Sequence, residues 1–150
     1  MSQFINELPE ISLDGFQVVS GDMFIHFPRK NEPSCTLWYT SICFGKTSIE
    51  ALNNCERIRI EVNTKTKSIL IVPVTIKDKD GVRWVYGSKD RKPKKIDCKA
   101  FTSQLYEAWG FDADCLYRSY GRVVTADKKV MLLFDFNEPE HWKGKTLAKE

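Results

Sequence analysis

Nothing in this chain of 150 residues runs apolar for 18 residues or more, so no stretch qualifies as a membrane-spanning helix. The first residues, Met-Ser-Gln-Phe-Ile-Asn-Glu, carry neither a basic nor an apolar stretch, which argues against a secretion signal and leads us to expect a cytoplasmic protein. Glycine is scarce: there are 8, and none falls into the G-x-G-x-x-G or G-x-x-x-x-G-K-S/T patterns that cradle phosphates. Histidine is scarcer still, with only His26 and His141, and no neighbouring Ser-His, Cys-His or paired-carboxylate arrangement points to an active site. The five cysteines, Cys35, Cys43, Cys55, Cys98 and Cys115, are odd in number and never spaced Cys-x-x-Cys. That argues against an extracellular disulfide framework and leaves only His26, Cys35 and Cys43 as mixed metal ligands close in sequence, without finger or knuckle spacing. We read the cysteines as reduced, mostly buried small hydrophobes, and expect neither metal nor cofactor.

What is present is apolar content of 42%, with 12% aromatics, enough to bury one core shared by one domain or by two interlocked halves. The 23 basic and 20 acidic residues leave a net charge of +3. Their distribution matters more than the sum. Lys89, Arg91, Lys92, Lys94 and Lys95 fall within seven residues, with Lys99 close behind. Such a cluster can displace condensed counterions from a phosphate backbone; the plainer use is a solubilising surface. Gly87, Ser88 and Pro93 around it predict a loop with solvated cations. Trp38, Tyr39, Trp84, Tyr86, Tyr117 and Tyr120 are candidates for base stacking, though core packing is the commoner use of aromatics in a β-rich domain.

Along the chain, Pro9 and Asp14-Gly15 argue against a long helix, and Gly21-Asp22 between residues 16–20 and 23–27 predicts a hairpin. Residues 35–43 read as one strand. Thr47 and Glu50 have the spacing of a capping box and predict a short helix that Asn53-Asn54 ends. Alternation over residues 57–62 predicts a half-buried strand, a turn follows at 63–67, and the β-branched run 68–74 predicts a strand packed on both faces. Asp80-Gly81 suggests a further hairpin between residues 74–76 and 82–86. Asp97 is placed to cap a helix over 98–109 with Phe101, Leu105, Ala108 and Trp109 facing the core and Gly110 after its end. Residues 115–125 and 130–136 flank a polar turn at 126–129.

Two passes of strand, helix, strand, turn, strand are thus expected, at 35–74 and 94–136, with a hairpin and loop over 1–34, an inserted hairpin and basic loop over 75–93, and a polar tail over 137–150. Ser41-Ile42-Cys43, Ile49-Glu50-Ala51-Leu52, the alternation from Arg57 to Val62 and the run from Ile69 to Pro73-Val74 resemble the AbrB/MazE/SpoVT swapped-hairpin module. The resemblance implies a β-rich α+β fold in which two β-α-β-β swapped-hairpin-like repeats form a pseudo-dimeric compact barrel with extra β-hairpins, monomeric or a homodimer. It also implies a small DNA-binding or regulatory protein of a bacterium or mobile element, active in transcription regulation. Carried over by position, double-stranded DNA would meet Lys46, Arg57 and Arg59 in the first copy and Lys94, Lys95 and Lys99 in the second; the charge cluster itself adds Lys89, Arg91 and Lys92 of the loop. Two departures stand out: the first strand carries no cation, and the junction where the family favours proline reads Phe44-Gly45. The alternative is a protein partner, met by an antitoxin-like or anti-defence interaction module.

Overall fold

The computed structural model describes residues 9–20, 32–143 and 146–147. Over these the chain is β-rich with two helices and several antiparallel sheets. Its elements are β1 (Ser34–Leu37), β2 (Ser41–Phe44), α1 (Lys46–Ala51), β3 (Arg57–Asn63), β4 (Ser68–Val74), β5 (Val82–Arg83), β6 (Val85–Tyr86), β7 (Lys92–Pro93), β8 (Ile96–Asp97), α2 (Lys99–Trp109), β9 (Cys115–Tyr120), β10 (Arg122–Ala126), β11 (Lys129–Asp135), β12 (Glu140–Lys143) and β13 (Thr146–Leu147). Sheet one runs β13-β12-β9-β1-β2-β8, sheet two runs β10-β11-β4-β3-β5, and β6 pairs with β7 alone.

The expected strands at 57–62 and 68–74 form as β3 and β4, in register from Arg57 opposite Val74 to Asn63 opposite Ser68. Their turn is closed by the Asn63 side chain, whose Oδ1 accepts from the N–H groups of Lys65 and Thr66, while Lys67 takes φ of 53°. The hairpin at 126–129 also forms. Asp127 and Lys128 both have positive φ, the backbone a two-residue turn needs to match strand twist. β4 and β11 pair at the centre of sheet two and send Ile69, Ile71, Leu132 and Phe134 into the core, all fully buried. Phe44 of sheet one meets Phe134 of sheet two and Trp84, ring centroids 5.9 and 5.3 Å away, so one apolar core joins both layers.

One strand connects the sheets. β9 lies in sheet one, and after Gly121 the chain continues as β10 in sheet two. A Cβ at 121 would stand 2.6 Å from Leu133 O and 2.6 Å from the Phe134 ring, so only glycine fits the crossing. On the opposite side the edge strands β5 and β8 do not pair, and among the described residues no barrel closes.

Several expectations are corrected. Residues 35–43 are not one strand but the hairpin β1–β2, closed by Trp38 N to Ser41 O at 2.8 Å. Its turn lacks glycine or asparagine because tertiary contacts hold it: Thr102 Oγ1 donates to Tyr39 O at 2.8 Å, and Cys98 N to Thr40 O at 3.0 Å. α1 begins two residues early, with Gly45 rather than Thr47 at its N-cap and no side-chain hydrogen bond there. Asn53 and Asn54 do end it, both at positive φ. Residues 82–83 pair with β3, not β4, since Trp84 is buried and pins the segment to that side by donating its backbone N to Glu56 O and its Nε1 to Cys55 O. α2 is capped by Cys98, not Asp97, which lies in β8. Its buried stripe is Thr102, Leu105, Tyr106 and Trp109, with Ala108 exposed; Gly110 is left-handed as expected. The polar tail contributes β12 and β13 to sheet one. The expected hairpin around Gly21 lies outside the described residues in its second arm, and residues 16–20 form no strand.

Candidate nucleic-acid interface

The basic loop is more structured than its glycine and proline content suggests. Tyr86 stands opposite Lys92 and Val85 opposite Pro93, so residues 85–93 make a small hairpin, and β8 then joins sheet one with Ile96 opposite Ile42. Gly87 supplies positive φ at the turn, where a side chain would meet Asp90 O at 2.8 Å.

The cations separate by type. Arg57 donates to Gly81 O at 2.8 Å. Arg59 bridges Glu61 at 2.9 Å and Asp78 at 2.6 Å. Hydrogen bonds to Glu61 and then Asp78 push its pKa up, and the Asp78 carboxyl is held below the usual range by the Asp80 N–H first and Arg59 second. Arg83 pairs with Glu56, and Arg91 reaches both Glu56 and the Asn54 carbonyl. Each of these four arginines therefore holds a loop or an edge to its neighbour.

The lysines do not. Lys46, Lys89, Lys92, Lys95 and Lys99 are exposed and Lys94 is half-buried; among the described residues none of the six forms an ion pair. Lys95 Nζ lies 4.3 Å from the centre of the Trp38 ring and Lys94 Nζ 5.8 Å from that of Tyr86. Lys99 is the first residue of α2, whose opening turn holds no acidic residue, so it adds to the positive end of the helix dipole.

Of the aromatic candidates, Trp84 and Tyr117 are core residues, and Tyr117 stacks between Phe111 and His141 at 3.8 and 5.4 Å. Tyr86 is 56% exposed and Tyr39 37%, while Trp38 and Tyr120 are half-buried.

Sequence reading missed Arg118. In register with Thr36, it points to the outer face of sheet one and donates Nε to Thr36 Oγ1 at 2.9 Å. Lys95 and Arg118 flank Cys43 on that face: burial pushes the Cys43 thiol up, and both cations pull it back. The signal for Arg118 was the alternation of the 115–120 strand, with Cys115, Tyr117 and Ser119 inward. Tyr120 and Glu140 join it; burial first, then a hydrogen bond with Glu140, pushes the Tyr120 hydroxyl up. All five cysteines are free, and no cluster of three or more His, Cys, Asp or Glu side chains converges among the described residues.

No family model, curated protein or solved structure matches this chain.

Proposed function

We propose that this is a small cytoplasmic DNA-binding regulatory protein that holds duplex phosphates with the lysines of the β6–β7 hairpin and its flanks. The observation that carries the reading is the division between arginine and lysine. Arg57, Arg59, Arg83 and Arg91 are engaged internally, while Lys89, Lys92, Lys94, Lys95 and Lys99 are crowded along one stretch without a carboxylate partner among the described residues. Lys46 adds a sixth cation at the start of α1, an element that packs on β7. Arg57, Arg59 and Arg91 are left out of the phosphate set.

The same reading takes the two halves as divergent swapped-hairpin-like copies folded into an incomplete pseudo-dimeric barrel. Its support is that corresponding strands meet across the halves: β2 pairs with β8 and β4 pairs with β11. No role follows for the added strand β9, which has no counterpart in the first half.

Fluorescence anisotropy with a random duplex tests the function. Five phosphate contacts predict a slope of log affinity against log salt of about −4 to −5. Changing the five loop and flank lysines to Ser should abolish binding near physiological salt with the fold intact. A folded wild-type protein that ignores duplex at low salt would overturn the proposal. It would favour the second reading, a protein-interaction module without nucleic-acid binding, which draws support from the exposed apolar residues near the N-terminus.

A further inference from the structure

Two apolar features lack cover among the described residues. The first is the segment 9–20, which has neither helix nor strand. Ile11, Leu13, Phe16, Val18 and Val19 on it are 58–99% exposed, although the chain has a core able to bury such groups. Its one turn is closed by Phe16 N to Leu13 O at 3.1 Å, with Gly15 at positive φ, so Leu13 and Phe16 are presented around a defined bend. Scattered apolar side chains on a surface are ordinary, but five within nine residues are a contiguous strip.

The second is the open seam between the sheets. Where β5 and β8 fail to pair, a cleft of about 230 Å³ opens onto the core, walled by Ile42, Ile60, Val82, Ile96, Cys98 and Phe101, with Asp80 at its rim. The wall is apolar almost throughout, and the room suits one large side chain.

We propose that the arm of one copy inserts into the seam of a second copy, Phe16 entering the cleft, so that two chains exchange arms reciprocally. Charge favours this pairing. Residues 9–20 carry Glu10 and Asp14 and no Lys or Arg, whereas the two stretches that supply β5 and β8, 78–83 and 94–99, carry Lys79, Arg83, Lys94, Lys95 and Lys99 against Asp78, Asp80 and Asp97. A chain that holds both halves of a complementary contact, neither engaged by the other among the described residues, closes most simply as a two-fold dimer. The area suffices: five side chains at on the order of 100 Å² each, from two arms, reach about 1,000 Å² before the acceptor surface is counted, the lower bound for a specific interface.

The test is analytical ultracentrifugation of the full chain across a wide concentration range, without nucleic acid, so that its outcome is independent of the DNA reading. The expected result is a concentration-dependent dimer. Phe16→Asp and Val18→Asp should each weaken it tenfold or more. Both sites are exposed, so far-UV circular dichroism should not change. On the acceptor side Val82→Lys should weaken it likewise. A photo-crosslinking residue at position 16, in a mixture of isotopically light and heavy protein, should join light to heavy chains within 79–101. A monomer at every concentration, a dimer indifferent to Phe16→Asp, or crosslinks confined to a single chain would each overturn the proposal.

Discussion

The two seams of the sandwich are built in opposite ways. On the closed side the chain passes directly from β9 to β10 at Gly121, whose N–H donates to Pro33 O at 2.8 Å while Phe134 and Leu133 crowd its Cα. On the open side β5 and β8 end short, the cleft remains, and Lys94, Lys95 and Lys99 flank β8 in the chain. The difference teaches where sequence is free to serve something other than the fold. Residues at the closed seam are fixed by contact distance, whereas Lys94 and Lys95 beside β8 touch little beyond one aromatic face each.

Gly121→Ala is the harshest way to probe that contrast. The atoms a methyl group would meet include a backbone carbonyl of sheet two, so relief requires moving β11. Overpacking of this kind costs about 2–3 kcal/mol, roughly a 5–10 °C fall in Tm for a chain of this size. Urea and thermal unfolding measure it. A variant as stable as the parent would mean that the closed seam is no more constrained than the open one.

Tyr106→Phe comes next. The hydroxyl lies 2.9 Å from Leu37 O and 2.7 Å from Cys115 O, joining β1 to the start of β9 from α2. The ring meets Tyr39, Phe111 and Tyr117 edge-on at 5.5–5.6 Å and would stay packed in the variant. Losing only the donor should cost about 1–2 kcal/mol. Burial, and then the neighbouring Tyr117, push this hydroxyl well above its ordinary value of 10.0. The folded state therefore holds the proton more tightly than the unfolded one. Its contribution is complete below the ordinary tyrosine value and is lost as pH rises through the folded one. Stability of the parent should thus fall more steeply above pH 10 than that of Tyr106→Phe; equal slopes would mean that the hydroxyl is not buried as described.

How legible these features were depends on whether the governing contact is local. β3, β4, the 126–129 turn and Gly110 follow from alternation, β-branching and backbone sign, and the sequence displays all of these. The β1–β2 hairpin does not, because Thr102 and Cys98, some sixty residues away, hold the Tyr39-Thr40 turn. β5 was assigned to the wrong neighbour for the same kind of reason: the Asp80-Gly81 turn is visible, but the buried Trp84 decides which side of β3 the chain takes. At the candidate interface the cluster of cations was plain, while their partition was not. Glu56 lies 35 residues before Arg91, and no spacing rule joins them.

At the open seam, Lys95→Ser removes a cation from the Trp38 face. An exposed cation–π contact is worth ~0.5–1 kcal/mol at most, so Tm should move by no more than ~4 °C. Duplex affinity should fall severalfold, with the salt slope smaller by about 1, the signature of one lost phosphate contact. A large fall in stability with no change in binding would reverse the division between the two seams.

Asp78→Asn is the mildest change and the most discriminating. It removes one of the two carboxylates that hold Arg59, leaving Glu61. Because the Asp78 carboxyl is held below the usual range by the Asp80 N–H and by Arg59, its contribution to stability is present above the ordinary carboxylate value and is lost as pH falls through the folded one. The parent and variant should therefore differ slightly at neutral pH and converge in acid. If engaged arginines are silent toward DNA, freeing half of Arg59 should raise duplex affinity by less than about twofold, no more than a single weak surface ion pair can release. A gain of tenfold would place Arg59 among the phosphate contacts. The interface would then extend across sheet two, and the line drawn between paired arginines and unpaired lysines would be the wrong one.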